Sequence, residues 1–437
     1  MSGTVSDNSP GITFNATVGG QSIPINAFRS SSGAFGSIGH LTMQSSIKAL
    51  ADAKVDLFEI TTGSSSSVEV IVTAKLPGKG EKRFFGGEHL NTRWHYDQDL
   101  IEIQARDYAG VLVDQKRVLT KIGSAAIAAL NPLVPGQTLT AQGIAVQNQK
   151  VGQIVTSIAQ EFGFTPVLNL DDGNPTYGTL YGSQDTVFMA VPQSLWSILN
   201  TLARDTGYDV YVTPNKQLVF GTIGANLPTL QLAYGMNTVP VDAVPCRDLF
   251  IDHSPRRNST FRVLVMSYDP AKRQTGIGRA NHVGLNMAGS AGLKEGLWTG
   301  QDALAVDQKI ASLNRGANQV PLYTFHFDGL TAQQAQDKAA SIATDIAKRE
   351  LIMHTRIDGD PTLLPTQPTT IEGLIDPNFA ANTFYLNSIE HQFQLGRGSH
   401  HTQAQGGGRS SGGFWTHIVA LDVPTRGTGN ETGGPLV

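Results

Sequence analysis

Residues 151–164 (VGQIVTSIAQEFGF) and residues 195–208 (LWSILNTLARDTGY) repeat each other at an offset of 44 residues. In both copies the apolar residues recur at positions i, i+3, i+4, i+7 and i+8, which places one apolar stripe on a helix. Gly163 and Gly207 then stand where a left-handed helix cap is needed, and an extended segment follows each of them. The sequence therefore predicts a duplicated unit of helix, tight turn and strand. Neither copy carries a cluster of ionisable residues, so the unit favours scaffolding over acid–base chemistry.

The composition indicates a multidomain, β-rich protein with large interfaces. A chain of 437 residues is long enough for about two to four domains. Charged residues make up only 16% of the chain, while glycine contributes 47 residues. The formal net charge of −4 gives no basic field for a phosphate backbone. This excludes sequence-specific nucleic-acid binding, but it leaves open the passage of nucleic acid past the protein.

The cysteine content and the N-terminal residues indicate the cellular compartment in which the protein is made. Cys246 is the only cysteine, which excludes an intramolecular disulfide and a multi-thiolate metal site. Residues 1–10 have neither a basic start nor an apolar segment, so we expect no signal peptide. No apolar run approaches the roughly 18 residues of a membrane-spanning helix. We therefore expect synthesis in the cytoplasm and no membrane span.

Strand patterns predict a first β-barrel over residues 11–118. Val68, Val70 and Val72 share one face of a strand, and Ile101 and Ile103 share one face of another. Turn-rich segments separate these strands at the spacing of a barrel or sandwich. One short amphipathic helix is predicted within this region, over Leu41–Ala53.

A second barrel is predicted in two parts, on either side of a Gly-rich segment. Phe261, Val263 and Val265 alternate with Arg262, Leu264 and Met266 in the first part. In the second part, a capping box at Thr331–Gln334 opens a helix predicted to run over 331–353. Residues 272–319 are weakly periodic, so we interpret them as an insertion or long loop that meets a partner.

The predicted fold class is α+β, mostly β, with two tube-like antiparallel β-barrels and an intervening duplicated helix–strand (α/β) module. The predicted organisation is an N-terminal arm (1–10), the first barrel (11–118), a linker (119–135), the duplicated module (136–222), the second barrel in two parts (223–271 and 320–424), the insertion (272–319), and a disordered tail (425–437). The hairpin loop Gly396–Gly413 is much longer than a usual hairpin turn, so we expect it to be mobile or held by a neighbour.

A group of histidines and a glycine-containing segment are the candidates for metal and cofactor binding. His391, His400, His401 and His417 form the densest histidine group, but no Cys, Asp or Glu accompanies them between residues 392 and 416. Polar loop histidines are the better interpretation. The segment Gly276-Ile-Gly-Arg-Ala-Asn281 begins like a dinucleotide fingerprint, but it lacks the third glycine and a surrounding βαβ unit. We expect no metal and no cofactor.

Catalytic patterns are equally weak. Ser45-Ser-Ile-Lys48 matches the Ser-x-x-Lys pattern of acyl enzymes but lacks the companion motifs of that chemistry. The carboxylates between residues 97 and 114 are candidates for the pair that glycoside hydrolysis requires, but solvated turn residues are the better interpretation. These residues are Asp97, Asp99, Asp107 and Asp114, with Glu102 on the intervening strand. We therefore predict no catalytic residue.

An aromatic pair and an arginine pair are the remaining candidates for ligand binding. Trp196 and Tyr208 could line a cleft, but at helical spacing beside apolar residues Trp196 is better interpreted as core or interface. Arg256-Arg257 is a short basic step before a strand, which favours a solvated or ion-paired role. No small-molecule site is predicted.

The order of parts resembles the baseplate hub proteins of contractile phage tails, the late control protein D-like family that is related to the N-terminal hub of type VI secretion spike proteins. The resemblance spans about Ile12 to Leu421 and rests on short structural motifs. These are Gln193–Tyr208 with Leu218–Gly221, Phe84–Gly87 with Ile101–Tyr108 and Leu112, Val265–Pro270, and Asp337–Ala339 with Gly359–Pro361 and His391–Phe393. Family members with an attached spike or lysozyme domain continue well beyond the second barrel, so any spike or muralytic enzyme is expected to be a separate protein. The Gly396–Gly413 loop is also longer than the family hairpin.

The resemblance implies a structural, non-enzymatic virion protein at the tail baseplate. It implies a homotrimer that joins the sixfold tail tube to the threefold central spike and lines the channel for the tape measure and DNA. The implied partners are further copies of the chain, the tail tube or tube-terminal ring protein, a separate central spike protein, baseplate wedge proteins and the tape measure protein, with DNA only in passage. Two barrels per chain, which the strand pattern predicts independently, would give six barrels in a trimer.

Two alternatives from other classes remain. One is a tail-associated peptidoglycan hydrolase, although no Glu/Asp pair in a helix or cleft setting supports it. The other is a cell-wall-binding module built from the duplicated unit, which loosely resembles small wall-binding folds. Wall lysis by the purified protein would indicate the first, and binding of the fragment 136–221 to isolated sacculi would indicate the second.

Overall fold

A single sheet of thirteen strands dominates the described part of the chain. The computed structural model describes residues 12–62, 67–76, 80–120, 143–145, 149–170, 174, 193–254, 260–269, 273–284, 296–313, 320–376, 379, 382–395 and 413–423. The strands are β1 (Thr13–Val18), β2 (Gln21–Ile23), β3 (Ala27–Gly33), β4 (His40–Ser45), β5 (Glu69–Leu76), β6 (Gly80–His95), β7 (Leu100–Asp107), β8 (Lys116–Thr120), β9 (Gly143–Ala145), β10 (Thr165–Asn169), β11 (Gln193–Ser194), β12 (Asp209–Val212), β13 (Gln217–Gly221), β14 (Leu230–Ala233), β15 (Ala243–His253), β16 (Phe261–Asp269), β17 (Gln274–Val283), β18 (Gly296–Thr299), β19 (Leu322–Asp328), β20 (Leu351–Asp358), β21 (Pro368–Glu372), β22 (Phe384–Gln394) and β23 (Gly413–Asp422). The helices are α1 (Ile47–Asp52), α2 (Leu57–Thr62), α3 (Ala109–Asp114), α4 (Val151–Glu161), α5 (Leu195–Thr206), α6 (Gly300–Leu313) and α7 (Ala332–Ala347).

Six of these strands close into a barrel. Strands β21, β14, β15, β20 and β23 follow one another, and both β23 and β21 pair with β22. All pairings are antiparallel except those of β14, which is parallel to both neighbours. Apolar side chains fill the interior, among them Leu232, Met353, Phe384, Ile389 and Ile418. The prediction of a mostly β, α+β fold with a barrel is confirmed.

The first predicted barrel is a sheet that aromatic side chains bring together. Its order is β2-β1-β5-β6-β7-β4-β3, and β3 continues directly onto β22 of the closed barrel. Within the described residues no backbone pairing joins β1 to β3. Phe14 of β1 instead lies 5.1 Å from Phe28 of β3 and 4.7 Å from Phe393 of β22, measured between ring centroids. Since Phe84 and Phe414 complete this cluster, the two ends of the sheet meet through packing.

The duplicated helix–strand unit is present in the structure. Helices α4 and α5 bury the repeated apolar stripes and end at Gly163 and Gly207, which have φ angles of 70° and 73°. After each glycine the next N–H donates back to a helix carbonyl, from Phe164 to Ala159 (2.8 Å) and from Tyr208 to Ala203 (2.9 Å). Strand β10 of the first copy lies parallel to β13, and β12 of the second copy lies antiparallel to it.

The interpretation of residues 272–319 as a long loop is wrong where the structure describes them. Strands β17 and β18 and helix α6 lie there, and the sheet order is β18-β17-β16-β19. The alternation was hidden because glycines take the inner positions of β17. A Cβ on Gly278 would come within 1.9 Å of the Ala335 carbonyl oxygen, so helix α7 can approach the strand only at glycine. Strand β16, assigned to the second barrel, also belongs to this sheet.

Two predicted helices have different bounds. The helix predicted over 331–353 ends at Ala347, and Leu351–Asp358 form strand β20 with every second residue buried. The helix predicted over Leu41–Ala53 is strand β4 followed by α1, which begins at the Ser46 cap. In both places the spacing of the apolar residues fits the helix repeat and the strand repeat over a short stretch. Pairing with strands distant in the sequence then decides that these residues form a strand.

Several predicted segments lie outside the described residues. These are the arm 1–10, almost all of the linker 119–135, the loop interior 396–412 and the tail 425–437. Within the described residues, no helix has the length and apolar character needed to span a membrane.

Candidate functional site

A cleft lies where the first sheet, the duplicated unit and helix α7 meet. Its volume is about 490 Å³. Phe35 and Ile38 contribute from the loop between β3 and β4, which we call the junction loop (residues 34–39). Trp196 and Tyr208 line it from the duplicated unit, and Lys348 lines it from the end of α7.

Two carboxylates hold the junction loop from different elements. The N–H of Phe35 donates to Oδ1 of Asp209, at the start of β12, over 2.8 Å. The N–H of Gly39 donates to Oδ2 of Asp107, at the end of β7, over 2.6 Å. Asp107 also accepts from the N–H of Ala109 at the start of α3 (3.0 Å). The loop is therefore fastened at both ends by carboxylates of separate parts of the fold.

The surroundings of these carboxylates shift their ionisation. Burial raises the pKa of Asp107 and the pKa of Asp209 to about 7 in each case, although backbone N–H donors oppose the shift. Asp209 is buried, and its Oδ2 atom accepts no hydrogen bond from the described residues. Both groups therefore change charge near neutral pH.

Helices α5 and α7 complete the attachment of the junction loop. The indole N–H of Trp196 donates to the carbonyl of Gly36 over 2.9 Å. The Lys348 ammonium lies 4.5 Å from the centre of the Phe35 ring. Gly36 has a φ of +77°, and a Cβ there would meet the Asn200 side chain at 2.1 Å, so only glycine fits.

The two helices are also joined directly. The Lys338 ammonium contacts the Asp205 carboxylate, and the hydroxyl of Ser341 donates to the carbonyl of Arg204. Asp205 is buried, so this pair is shielded from solvent. The cleft is lined by groups that hold three parts of the chain together.

The residues weighed as catalytic do not converge. Ser45 is completely buried in β4, whereas Lys48 is exposed on α1. Asp99 accepts from the Ser46 hydroxyl (2.6 Å) and the Lys48 N–H (2.9 Å), so it fastens the start of α1. Asp114 pairs with Arg106, and Asp97 lies in an exposed turn. Glu102 accepts from Gln104 across 2.7 Å.

Asp107 corrects one interpretation from the sequence. A solvated turn is wrong for it, because its two oxygens accept backbone N–H groups. Asp209 was missed altogether. Its local signal is a polar residue that opens a strand in which all four residues are buried.

The histidines are likewise separated. His391 is buried beside Phe84 and Phe414, where its Nδ1 atom lies 2.9 Å from the Thr416 hydroxyl, and burial lowers its pKa to about 4. His417 is the next residue along β23 and therefore lies on the other face. His400, His401 and Arg256-Arg257 fall outside the described residues. The glycine segment Gly276–Asn281 forms part of strand β17.

In the described ranges, no group of three His, Cys, Asp or Glu residues is arranged to hold a metal ion. Trp196 and Tyr208 do line the cleft, but both are more than nine-tenths buried and serve packing. The arrangement therefore acts as a structural joint, and what it offers chemically is a charge change at two buried carboxylates.

Comparisons with known proteins place the architecture. No protein-family model matches the chain, and no curated protein matches its sequence. Among solved structures, a tail protein from Neisseria meningitidis MC58 is similar with a TM-score of 0.58 at 13% identity, covering 94% of this chain and 96% of that one. The 43 kDa tail protein of prophage MuSo2 from Shewanella oneidensis is similar with a TM-score of 0.54 at 14% identity, covering 94% and 98%. A component of the type VI secretion system of E. coli has a TM-score of 0.43 at 12% identity, covering 94% and 77%.

The likenesses to the Neisseria and Shewanella proteins extend over almost the whole chain and confirm the predicted resemblance at the level of the fold. The chain has the fold of the tail protein from Neisseria and of the prophage tail protein from Shewanella.

Proposed function

We propose that this protein is a structural component of a contractile phage tail, the central hub of its baseplate. Three copies form a ring that joins a sixfold tail tube to a threefold central spike. The hub is non-enzymatic and works by shape and symmetry. Its place is the baseplate of the virion, after synthesis in the cytoplasm of the bacterial host.

The observation that carries the proposal is the edge-to-edge union of the two barrel regions. Seven residue pairs join β3 to β22, from Ala27–Gln394 to Gly33–Ser388, so one sheet runs through both regions. Since backbone pairing fixes their spacing and direction, the two regions move as one rigid pair. Three such pairs around an axis present six similar units to a sixfold partner and threefold symmetry to a spike.

The polar face of the closed barrel supports a role in passing nucleic acid without gripping it. On neighbouring strands Arg29 pairs with Glu390 (2.7 Å), and Arg356 pairs with Asp248 (2.8 Å). Among the described residues of this face, which β3 extends, Arg29, Arg247 and Arg356 each lie within 4 Å of a carboxylate, so that part of the face offers phosphates no row of unpaired cations. Such a wall suits a channel through which a tape measure protein and DNA move.

The proposed partners follow from this position. A tail tube or tube-terminal ring protein meets the sixfold side, and a separate central spike protein meets the threefold side. Baseplate wedge proteins surround the ring. DNA is a passenger, and the protein reads no bases.

The proposal is tested by the mass of the purified chain in solution, alone and with the spike protein of the same tail. Light scattering should give about three times 46.6 kDa in at least one of these samples. Negative-stain images of that sample should show rings with a central hole. A mass of one chain in both samples would contradict the hub.

A further inference from the structure

The outer face of the four-stranded sheet carries an uncovered apolar stripe. We call it the sheet stripe, and it consists of Leu264, Met266, Tyr268, Ile277 and Leu322. Ile277 lies directly opposite Met266 across the β16–β17 pair. Tyr268, Ile277 and Leu322 are 51%, 48% and 50% exposed, while helix α7 covers the opposite face of the sheet. Contiguous apolar side chains on an exposed sheet face indicate an interaction surface.

A groove and a cation border the sheet stripe. The groove has a volume of about 310 Å³ and lies between α6 and the sheet, with Leu264, Leu322 and Gln308 in its walls. Arg279 also lines it, beside Arg262 and Asp307, which lie 3.8 Å apart as an ion pair, so the groove walls carry one net positive charge. The surface that binds here must therefore be apolar with an acidic neighbour.

The same chain carries a second apolar surface of this kind. We call it the crossover patch, because most of it lies in the connection that leads from β14 to the parallel strand β15. It consists of Tyr234, Met236, Val239, Val241 and Ile375. Val241 and Ile375 are each fully exposed, at 101%. The segment after β21 lies against the start of the connection, since Tyr234 donates its N–H to the Glu372 carbonyl over 2.9 Å.

The charge around the crossover patch is acidic. Residues 230–243 and 368–376 contain no lysine or arginine, and they contain Asp242, Glu372 and Asp376. The crossover patch thus has the apolar centre and the acidic neighbours that the sheet stripe and Arg279 require.

We propose that the sheet stripe of one copy binds the crossover patch of the next copy in the ring. The inference rests on the proposed trimeric hub and names the surfaces that close it. A cyclic trimer needs two different, complementary surfaces on every chain, because each contact is head to tail. Two exposed apolar surfaces with opposite charge on one chain meet that requirement. Arg279 of one copy then faces the acidic rim of its neighbour.

The test uses the full chain with one charge placed in each surface. Ile277→Asp disrupts the sheet stripe and Val241→Asp disrupts the crossover patch, and both positions are exposed in the single chain, so folding is retained. Each variant should lose the trimer in light scattering. Phe58→Asp is the matched control, since Phe58 is an apolar residue of α2 outside both surfaces and is 67% exposed. It should leave the trimer unchanged.

Mixing the two variants gives a sharper result. The intact sheet stripe of the Val241→Asp chain can bind the intact crossover patch of the Ile277→Asp chain, but the ring cannot close. The mixture should therefore show the mass of two chains, while each variant alone shows one. Surfaces that bind copies of themselves would give no such recovery.

The outcomes separate the inference from the hub proposal. A trimeric wild type with trimeric Ile277→Asp and Val241→Asp variants overturns the inference and leaves the hub standing. Variants that are monomeric alone and remain monomeric when mixed also overturn it, because the surfaces then do not complement each other. A wild type that is monomeric with and without the spike removes the hub and the inference together.

Discussion

Replacing Asp209 by asparagine should change how the stability of the protein depends on pH. The carboxyl has an ordinary pKa of 3.8, and burial raises it to about 7 in the folded chain. The folded state then binds the proton more tightly than the unfolded state, so stability is greatest at acid pH and falls as pH rises towards 7. Each pH unit crossed in that window costs about 1.4 kcal/mol.

The size of the stability change follows from the pH range between the two pKa values of Asp209. Between about pH 5 and about pH 8 the wild type should lose up to about 3 kcal/mol through this carboxyl. Asp209→Asn cannot ionise, and its amide oxygen can still accept from the Phe35 N–H. The variant cannot lose stability through this group, so its advantage over the wild type should be larger at pH 8 than at pH 5 by up to about 3 kcal/mol. Other titrating groups, including Asp107, are shared by both proteins and cancel in the comparison.

Urea unfolding followed by tryptophan fluorescence measures this difference, because Trp196 packs against the same junction loop. Asp114→Asn is the control, since a hydrogen bond from Arg106 lowers the pKa of Asp114 in the folded chain. Its effect should be the same at both pH values, because this carboxylate is ionised throughout the window. An Asp209→Asn effect that is equal at the two pH values would show that Asp209 does not titrate in this window.

Four further substitutions test the joints of the fold by chemical unfolding. Gly163→Ala and Gly207→Ala should each cost about 1–2 kcal/mol, because both caps have positive φ; no loss would contradict the left-handed caps. Phe14→Ala should cost about 3–5 kcal/mol, since its ring joins the two ends of the first sheet; a loss under about 1 kcal/mol would leave that seam without support. Trp196→Phe should cost about 1–3 kcal/mol by leaving the Gly36 carbonyl without its donor, and an unchanged unfolding midpoint would contradict that bond.

Local patterns in the sequence were enough for the duplicated unit. Apolar spacing and a following glycine are properties of about fifteen consecutive residues, and both helices end where the pattern predicts, at Gly163 and Gly207. The alternation around Val70 and Ile101 similarly predicts strands that the structure contains, in β5 and β7. These elements were predictable because their own side chains decide their form.

Elements that depend on a distant neighbour were not predictable in this way. Strand β17 places Gly276 and Gly278 against α7, so the residues that make close packing feasible also remove the apolar alternation. Residues 351–358 continue an apolar helical pattern, and only pairing with β15 and β23 makes them a strand. Contacts of that kind leave no local signal.

The candidate site also depends on contacts between residues that are distant in the sequence. Asp209 and Phe35 are 174 positions apart in the chain, and their hydrogen bond exists only because the duplicated unit lies against the junction loop. The union of β3 with β22 likewise joins segments far apart in sequence, as the Arg29–Glu390 pair illustrates. Composition and spacing could indicate barrels, but not which strand joins them.

Three copies of the proposed hub, each with two joined barrel regions, should form one ring. Electron cryomicroscopy of the purified assembly, with the spike protein present, can show this ring. We expect end-on class averages with six lobes around a central hole and threefold symmetry on closer alignment. Rings with another number of lobes, or an assembly with no central hole, would contradict it.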